Sequence, residues 1–329
     1  MASFGYLLFV IHAICLYTAQ SASSGFRRHR PRLRMVDDAK ISQADYPFMV
    51  AVYVAKDEIT NSACSGAIVT LIAVATACHC VAKIDKKSVS VYSTNGSFVI
   101  AGATNPLEFS VEKRMATPRE FKCHALASEQ KSVVNYDAAV ILLKKPWHYG
   151  SRIQPILMYS HKNNILMDEF SKMFNAEKTC VTPGWGQGTR STGRHSGAGF
   201  FVANVRLLSP AVCQQRFCPR FASLCHMQKA SIHTVCSQPE ESTVPCFSDS
   251  GSPLICDGLL YGVLSWVYSC KMHHPLGYAN PSTVLNVLSK YLDVEASARS
   301  ADRGSISSAG FQGPKIMTIG IVFLKMGLI

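Results

Sequence analysis

The stretch Thr76-Ala77-Cys78-His79-Cys80 decides the reading of this chain, because two distant stretches answer it. They are Asn135-Tyr136-Asp137-Ala138-Ala139-Val140 and Ser248-Asp249-Ser250-Gly251-Ser252-Pro253-Leu254. A histidine, an aspartate at the head of an apolar run and a serine in a Gly-containing turn are the parts of a nucleophilic triad. Serine needs a base to take its proton, and the base needs a carboxylate to orient it. The chain order is His79, Asp137, Ser250. Triads that run Ser-Asp-His or Asp-His-Ser belong to other folds, so the order excludes those.

Around these residues lie short apolar segments separated by turn residues. Pro47–Ala55, Ser65–Thr76, Ser88–Ser93, Ala138–Lys144, Thr179–Pro183, Phe200–Leu208, Thr234–Ser237 and Pro253–Val267 read as strands. Asp257-Gly258 between two apolar runs predicts a hairpin turn. Many short strands without long interleaved helices indicate an all-β sandwich or barrel. Ser209-Pro210 reads as an N-cap and first helical residue opening a short helix. Ser282–Leu292 has the apolar spacing of a closing helix.

From about Met35 to Asp293 the chain resembles the trypsin/chymotrypsin-like serine proteases. His79-Cys80 matches the family's Thr-Ala-Ala-His-Cys motif, and Asp249-Ser250-Gly251 matches Gly-Asp-Ser-Gly-Gly-Pro. The resemblance implies two packed six-stranded antiparallel β-barrels with a short C-terminal helix. It makes His79 the general base, Asp137 its orienting acid and Ser250 the nucleophile, with Ser248 and Ser250 N–H groups as the oxyanion hole. Gly184-Trp185-Gly186 is a further match, and Ser265-Trp266 matches the strand that binds substrate backbone. The implied protein is a secreted endopeptidase acting on proteins or peptides, made as a zymogen and open to protein inhibitors, with no cofactor or metal.

Thirteen cysteines in 329 residues point to disulfides and an oxidising compartment. Cys-x-x-Cys zinc knuckles are absent from the sequence. Bridging Cys64 to Cys80 would fix the turn that carries His79. By resemblance Cys180 pairs with Cys256, Cys213 with Cys236, and Cys246 with Cys270. Cys218 and Cys225 flank a short loop and are expected to pair locally. Cys78 and Cys123 remain, as a sixth bridge or as two free thiols.

The same resemblance marks departures. Val244 stands where trypsin-like members carry an aspartate, so Arg or Lys at P1 is not expected. Val267 and Leu276 replace glycines of the pocket walls, which implies a small apolar P1 residue or a filled pocket. Ser248 replaces a glycine, and a side chain there strains the backbone. The expected activation cut falls at Arg34–Met35, and Asp249 would receive the new terminus. Met35-Val36-Asp37-Asp38 departs from Ile-Val-Gly-Gly, and Asp37 would compete with Asp249 for the ammonium group. These departures keep a second reading open, a non-catalytic homologue that uses the cleft for binding.

The termini complete the organisation: a signal peptide at 1–22, a basic propeptide at 23–34, the protease domain at 35–294 and a low-order extension at 295–329. Tyr6–Ala19 is apolar and too short to span a membrane comfortably. The apolar tail Ile316–Ile329 is short and interrupted by Lys325, so a membrane tether is not expected. The net charge of +12 is partly local to Arg27, Arg28, Arg30, Arg32 and Arg34. Without them 28 basic residues face 21 acidic ones, which does not imply a nucleic-acid partner. Asn95-Gly96-Ser97 is an N-glycosylation acceptor in a turn-like setting. His273-His274 reads as an exposed loop rather than a metal site.

Overall fold

The computed structural model describes residues 42–292 except 57–60, 87, 107–112, 131–132, 186–199, 219–233, 241–243, 247, 269 and 271–273. The signal peptide, the Arg34–Met35 cut, Asp37 and Asp38, Gly186, Cys225, His273 and the tail from 295 lie outside the described residues.

The first lobe is built from β1 (Met49–Ala55), β2 (Asn61–Ile68), β3 (Ala73–Thr76), β6 (Phe98–Ala101), β7 (Arg114–Ala116), β8 (Pro118–Cys123) and β11 (Ala139–Leu143). They form one antiparallel sheet in the order β7-β6-β1-β2-β3-β11-β8. Its two edge strands, β7 and β8, are separated only by Thr117. One bent strand therefore pairs with β6 at one end and with β11 at the other, which joins the edges and gives the expected six-stranded barrel. Two minor pairs, β4 (Ala82–Ile84) with β5 (Val89–Val91) and β9 (Ser128–Gln130) with β10 (Val133–Asn135), decorate it.

The second lobe is a closed barrel of β12 (Thr179–Gly184), β13 (Phe201–Leu208), β14 (Thr234–Pro239), β17 (Leu276–Ala279), β16 (Leu259–Val267) and β15 (Pro253–Cys256). The β15–β16 turn places Asp257 at φ 51 and Gly258 at φ 79, the paired positive angles that a two-residue hairpin demands.

Strand β11 shows how the two lobes meet. All five of its side chains are buried. Ala139, Ile141 and Leu143 join the core of the first barrel, whereas Val140 and Leu142 join the larger core of the second lobe. A period of two thus serves two cores at once, and each buried aliphatic side chain contributes ~1.5–3 kcal/mol. Asp137, two residues upstream of this strand, is consequently delivered to the seam between the lobes.

Helix α1 (Cys78–Val81) is a single turn after β3. Helix α2 (Asn163–Asn175), which was not anticipated, buries Leu166, Phe170 and Met173 against the second lobe. Six of its thirteen residues are apolar, and Leu166, Met167, Phe170, Met173 and Phe174 fall at helical spacing, so the signal was present in the sequence. Helix α3 (Pro210–Phe217) starts as expected, with Ser209 Oγ accepting from Val212 N–H at 3.2 Å. Helix α4 covers 281–292 and closes the described chain. The run Ser65–Thr76, read as one strand, is two, with Val69–Ile72 turning between them. Among the described residues no helix is long and apolar enough to cross a membrane.

Five disulfides staple this frame: Cys64–Cys80, Cys78–Cys123, Cys180–Cys256, Cys213–Cys236 and Cys246–Cys270. The open question over Cys78 and Cys123 is therefore resolved as a bridge. Cys218 is also disulfide-bonded, and its expected partner Cys225 lies outside the described residues.

Candidate active site

His79 sits in the one-turn helix α1, held by a bridge on each side of it. Cys78 is tied to Cys123 at the end of β8, and Cys80 to Cys64 on β2. Closing a loop of this size as between Cys64 and Cys80 contributes ~3 kcal/mol on the chain-entropy account. Local propensity for one isolated turn is negligible, so these crosslinks and the burial of Cys78, Cys80 and Val81 fix the position of the ring.

Asp137 projects from a tight turn in which Tyr136 has φ 52 and Ala138 N–H reaches back to the Tyr136 carbonyl at 2.8 Å. Its carboxylate is 1% exposed and accepts three hydrogen bonds. His79 N–H donates to Oδ1 at 2.9 Å, His79 Nδ1 lies 2.7 Å from Oδ2, and Ser265 Oγ donates to Oδ2 at 2.6 Å. A carboxylate accepts only, so Nδ1 carries the proton and Nε2 keeps its lone pair. That tautomer is the one a general base needs.

Burial of the imidazole pulls its pKa down, but the charge and hydrogen bond of Asp137 outweigh this, against a small opposing push from Lys56. The net result lies above the ordinary 6.5.

Ser265 was expected on the substrate-binding strand, and its bond to Asp137 was not foreseen. It arises from a β-bulge. Leu264 pairs with Tyr278 and Trp266 with Gly277, which leaves Ser265 extra and re-aims its hydroxyl across the seam. Sequence carries no direct signal for such a bulge.

Ser250 lies on the loop before β15. No hydrogen bond joins its hydroxyl to His79. The two are nonetheless neighbours, for Cys80 Sγ is 4.0 Å from His79 Nε2 and 3.6 Å from the Ser250 carbonyl oxygen. Bonds between such groups are commonly long without substrate and tighten when it binds. Gly251 follows at φ +83, and a Cβ there would fall 2.2 Å from the Ser65 carbonyl oxygen. The loop can dock against the first barrel only with glycine at that position.

Ser248 is exposed and adopts φ 76. A left-handed serine costs about 1–2 kcal/mol that glycine would not. The N–H groups of Ser248 and Ser250 form no hydrogen bond within the described residues. Asp249 between them is fully buried, with Oδ2 accepting from Cys246 N–H at 2.7 Å.

The two wall positions are direct cross-strand partners, Val267 on β16 opposite Leu276 on β17. Leu276 is fully buried in the main core and Val267 packs partly against it. Val244 is 1% exposed. Trp266 packs against Gly277, where an added Cβ would come 1.9 Å from the indole, and against Cys213 and Cys236. Asn95 is exposed at a turn whose Ser97 hydroxyl accepts from Ala55 N–H. The described cluster with metal-ligand atom types, Cys64, His79 and Cys80, contains the Cys64–Cys80 disulfide, whose sulfurs are no thiolates.

The family profile described as Trypsin matches residues 35–288. The chain belongs to the trypsin family. A snake venom serine protease homolog from Protobothrops jerdonii is 27% identical over 231 residues, 70% of this chain and 75% of that protein. Human kallikrein-10 is 30% identical over 115 residues, 34% of this chain and 38% of that protein. A solved collagenase structure superposes with a TM-score of 0.57 at 18% identity, covering 81% of this chain and 99% of that one, and shows the shared fold. Trypsin-family membership accounts for the serine-protease character of the domain, its two barrels and its disulfides.

Proposed function

We propose that the protein is a secreted serine endopeptidase, cut after Arg34 and using Ser250 as nucleophile. The observation that carries this reading is the buried Asp137 carboxylate, which fixes His79 in the base-competent tautomer beside the Ser250 loop. Ser250 Oγ attacks the scissile carbonyl while His79 Nε2 takes its proton. The developing oxyanion is held by the Ser248 and Ser250 N–H groups, which have no described intramolecular acceptor to compete for them. His79 then protonates the leaving amine, and water returns the enzyme to its starting state. Disulfide density favours an extracellular setting. Protein or peptide substrates, an activating protease and a protein inhibitor are the expected partners.

The filled walls support a small apolar P1 residue. Val267→Gly should raise kcat/KM for a leucine or phenylalanine P1 relative to alanine by about tenfold, since added methylenes in such pockets discriminate by about 10–200-fold. The ratio is measured on paired peptide substrates, so a change in folded fraction cancels. An unchanged ratio would place P1 elsewhere than between Val267 and Leu276.

The pH profile supplies a second check. A base must be neutral, so the acid limb of kcat/KM should lie above pH 6.5, because Asp137 raises the His79 pKa above that value. The sign for stability is opposite. A raised pKa in the folded state stabilises the protein below about pH 6.5, the unfolded value. That contribution is lost as pH rises through the folded pKa. Activity should therefore climb across the window in which thermal stability declines, and a limb below 6.5 would contradict the assignment.

A second reading, a non-catalytic homologue, draws on the left-handed Ser248 and on the relatives named as serine protease homologs. A fluorophosphonate probe on material processed at Arg34–Met35 separates the two. Stoichiometric labelling, lost in Ser250→Ala, supports the enzyme, and its absence from correctly processed protein supports the homologue.

A further inference from the structure

Ser65, a buried residue of β2, holds the Ser248–Ser250 loop at two points. Its N–H donates to the Ser250 carbonyl at 2.8 Å, and its Oγ donates to the Ser248 carbonyl at 3.3 Å. Its own carbonyl accepts from Thr76 Oγ1 at 2.8 Å, so the residue is anchored from behind by the strand that leads to His79. Its chain neighbour Cys64 is bridged to Cys80, beside His79. The dipeptide Cys64-Ser65 thus fastens the base through a disulfide and the nucleophile loop through hydrogen bonds.

The side-chain bond goes to the residue that most needs it. Ser248 is at φ 76, outside the region an L-residue prefers, and its own backbone does not favour staying there. A donor on the Ser248 carbonyl restrains the peptide plane that follows the strained residue. We infer that Ser65 is a positioning residue whose hydroxyl clamps Ser248 in the left-handed conformation, keeping its N–H aimed for the oxyanion. The inference rests on the catalytic reading above for its consequence in rate, but not for the clamp itself. It also explains how a serine can occupy a position where the resemblance implies glycine.

The test is a four-protein cycle of wild type, Ser65→Ala, Ser248→Gly and the double variant. Each is processed at Arg34–Met35, then assayed for the second-order rate of fluorophosphonate labelling and for melting temperature. In the Ser248 background, Ser65→Ala should slow labelling about tenfold, within the ceiling of about 10²–10³ for losing a whole oxyanion donor. In the Ser248→Gly background the same truncation should cost at least about fivefold less, because glycine holds positive φ unaided. The melting temperatures should show the same coupling, with Ser65→Ala more damaging beside serine than beside glycine. A purely structural role for Ser65 would lower both backgrounds by equal factors and would overturn the clamp. If no variant labels but the melting temperatures are coupled, the clamp stands and the catalytic reading falls. Uncoupled melting temperatures without labelling would overturn the clamp as well.

Discussion

Replacing Ser250 by alanine is expected to lower kcat by as much as about 10⁶-fold, the scale seen when a triad nucleophile is removed. In the proposed mechanism the Ser250 hydroxyl forms the acyl bond, and no neighbouring side chain can substitute. Ser248 and Ser252, the nearest hydroxyls in sequence, are badly placed. The first is exposed and the second is fully buried. Folding should survive, because the Ser250 carbonyl accepts from Ser65 N–H, and alanine retains that carbonyl. The measurement is burst kinetics with an ester substrate together with the melting temperature. A variant that keeps its melting temperature and also keeps a burst would remove Ser250 from the mechanism. The strained Ser248 sets the baseline. If its N–H is held imperfectly, wild-type kcat starts low and the observed drop shrinks accordingly.

Much of the candidate site was legible in the chain because His79, Asp137 and Ser250 sit in local patterns that physics constrains tightly. His79 is marked by flanking cysteines, Ser250 by the glycine its loop needs at φ +83, and Asp137 by the apolar strand that follows it. The hairpin at Asp257-Gly258 was readable for the same reason, since few residues tolerate two successive positive φ values. Interactions that depend on register were not readable. Ser265 reaches Asp137 only because a bulge shifts β16 against β17 by one residue. Ser65 is one of two serines in β2, and nothing local distinguishes it from a satisfied core serine.

Strands β6, β7, β8 and β17 of the barrels and the minor strands β4, β9 and β10 were also missed. β8 alternates imperfectly, with Pro118 and Phe121 buried and Arg119, Glu120 and Lys122 exposed. β7 exposes Arg114 and Met115. Edge-like, charged segments carry little periodic signal even where pairing is firm. In contrast, β17 is fully buried but short, and Gly277 within it reads as a breaker. That glycine is there because Trp266 lies against its Cα, a contact between residues that only the fold brings together.

Asp137→Asn should cost about 10⁴-fold in kcat, about a hundredfold less than loss of the nucleophile, although the change is nearly isosteric. The reason is a count of donors. Three groups donate to this carboxylate: His79 N–H, His79 Nδ1–H and Ser265 Oγ–H. Asparagine offers one accepting oxygen and one donating nitrogen. The His79 backbone N–H cannot give up its proton, so it claims the oxygen, and the amide NH₂ then faces Nδ1 and Ser265. Ser265 can rotate its hydroxyl to accept, but Nδ1 must surrender its proton to avoid opposing donors. The proton moves to Nε2, and the nitrogen beside Ser250 no longer accepts. Geometry is preserved while the base is lost. The pH profile should change in a way a merely destabilised protein would not show. The charge and hydrogen bond that raise the His79 pKa both disappear, burial remains, and the residual acid limb should move to lower pH. A variant with wild-type melting temperature, unaltered kcat and an unmoved limb would mean that Asp137 does not orient His79 during turnover.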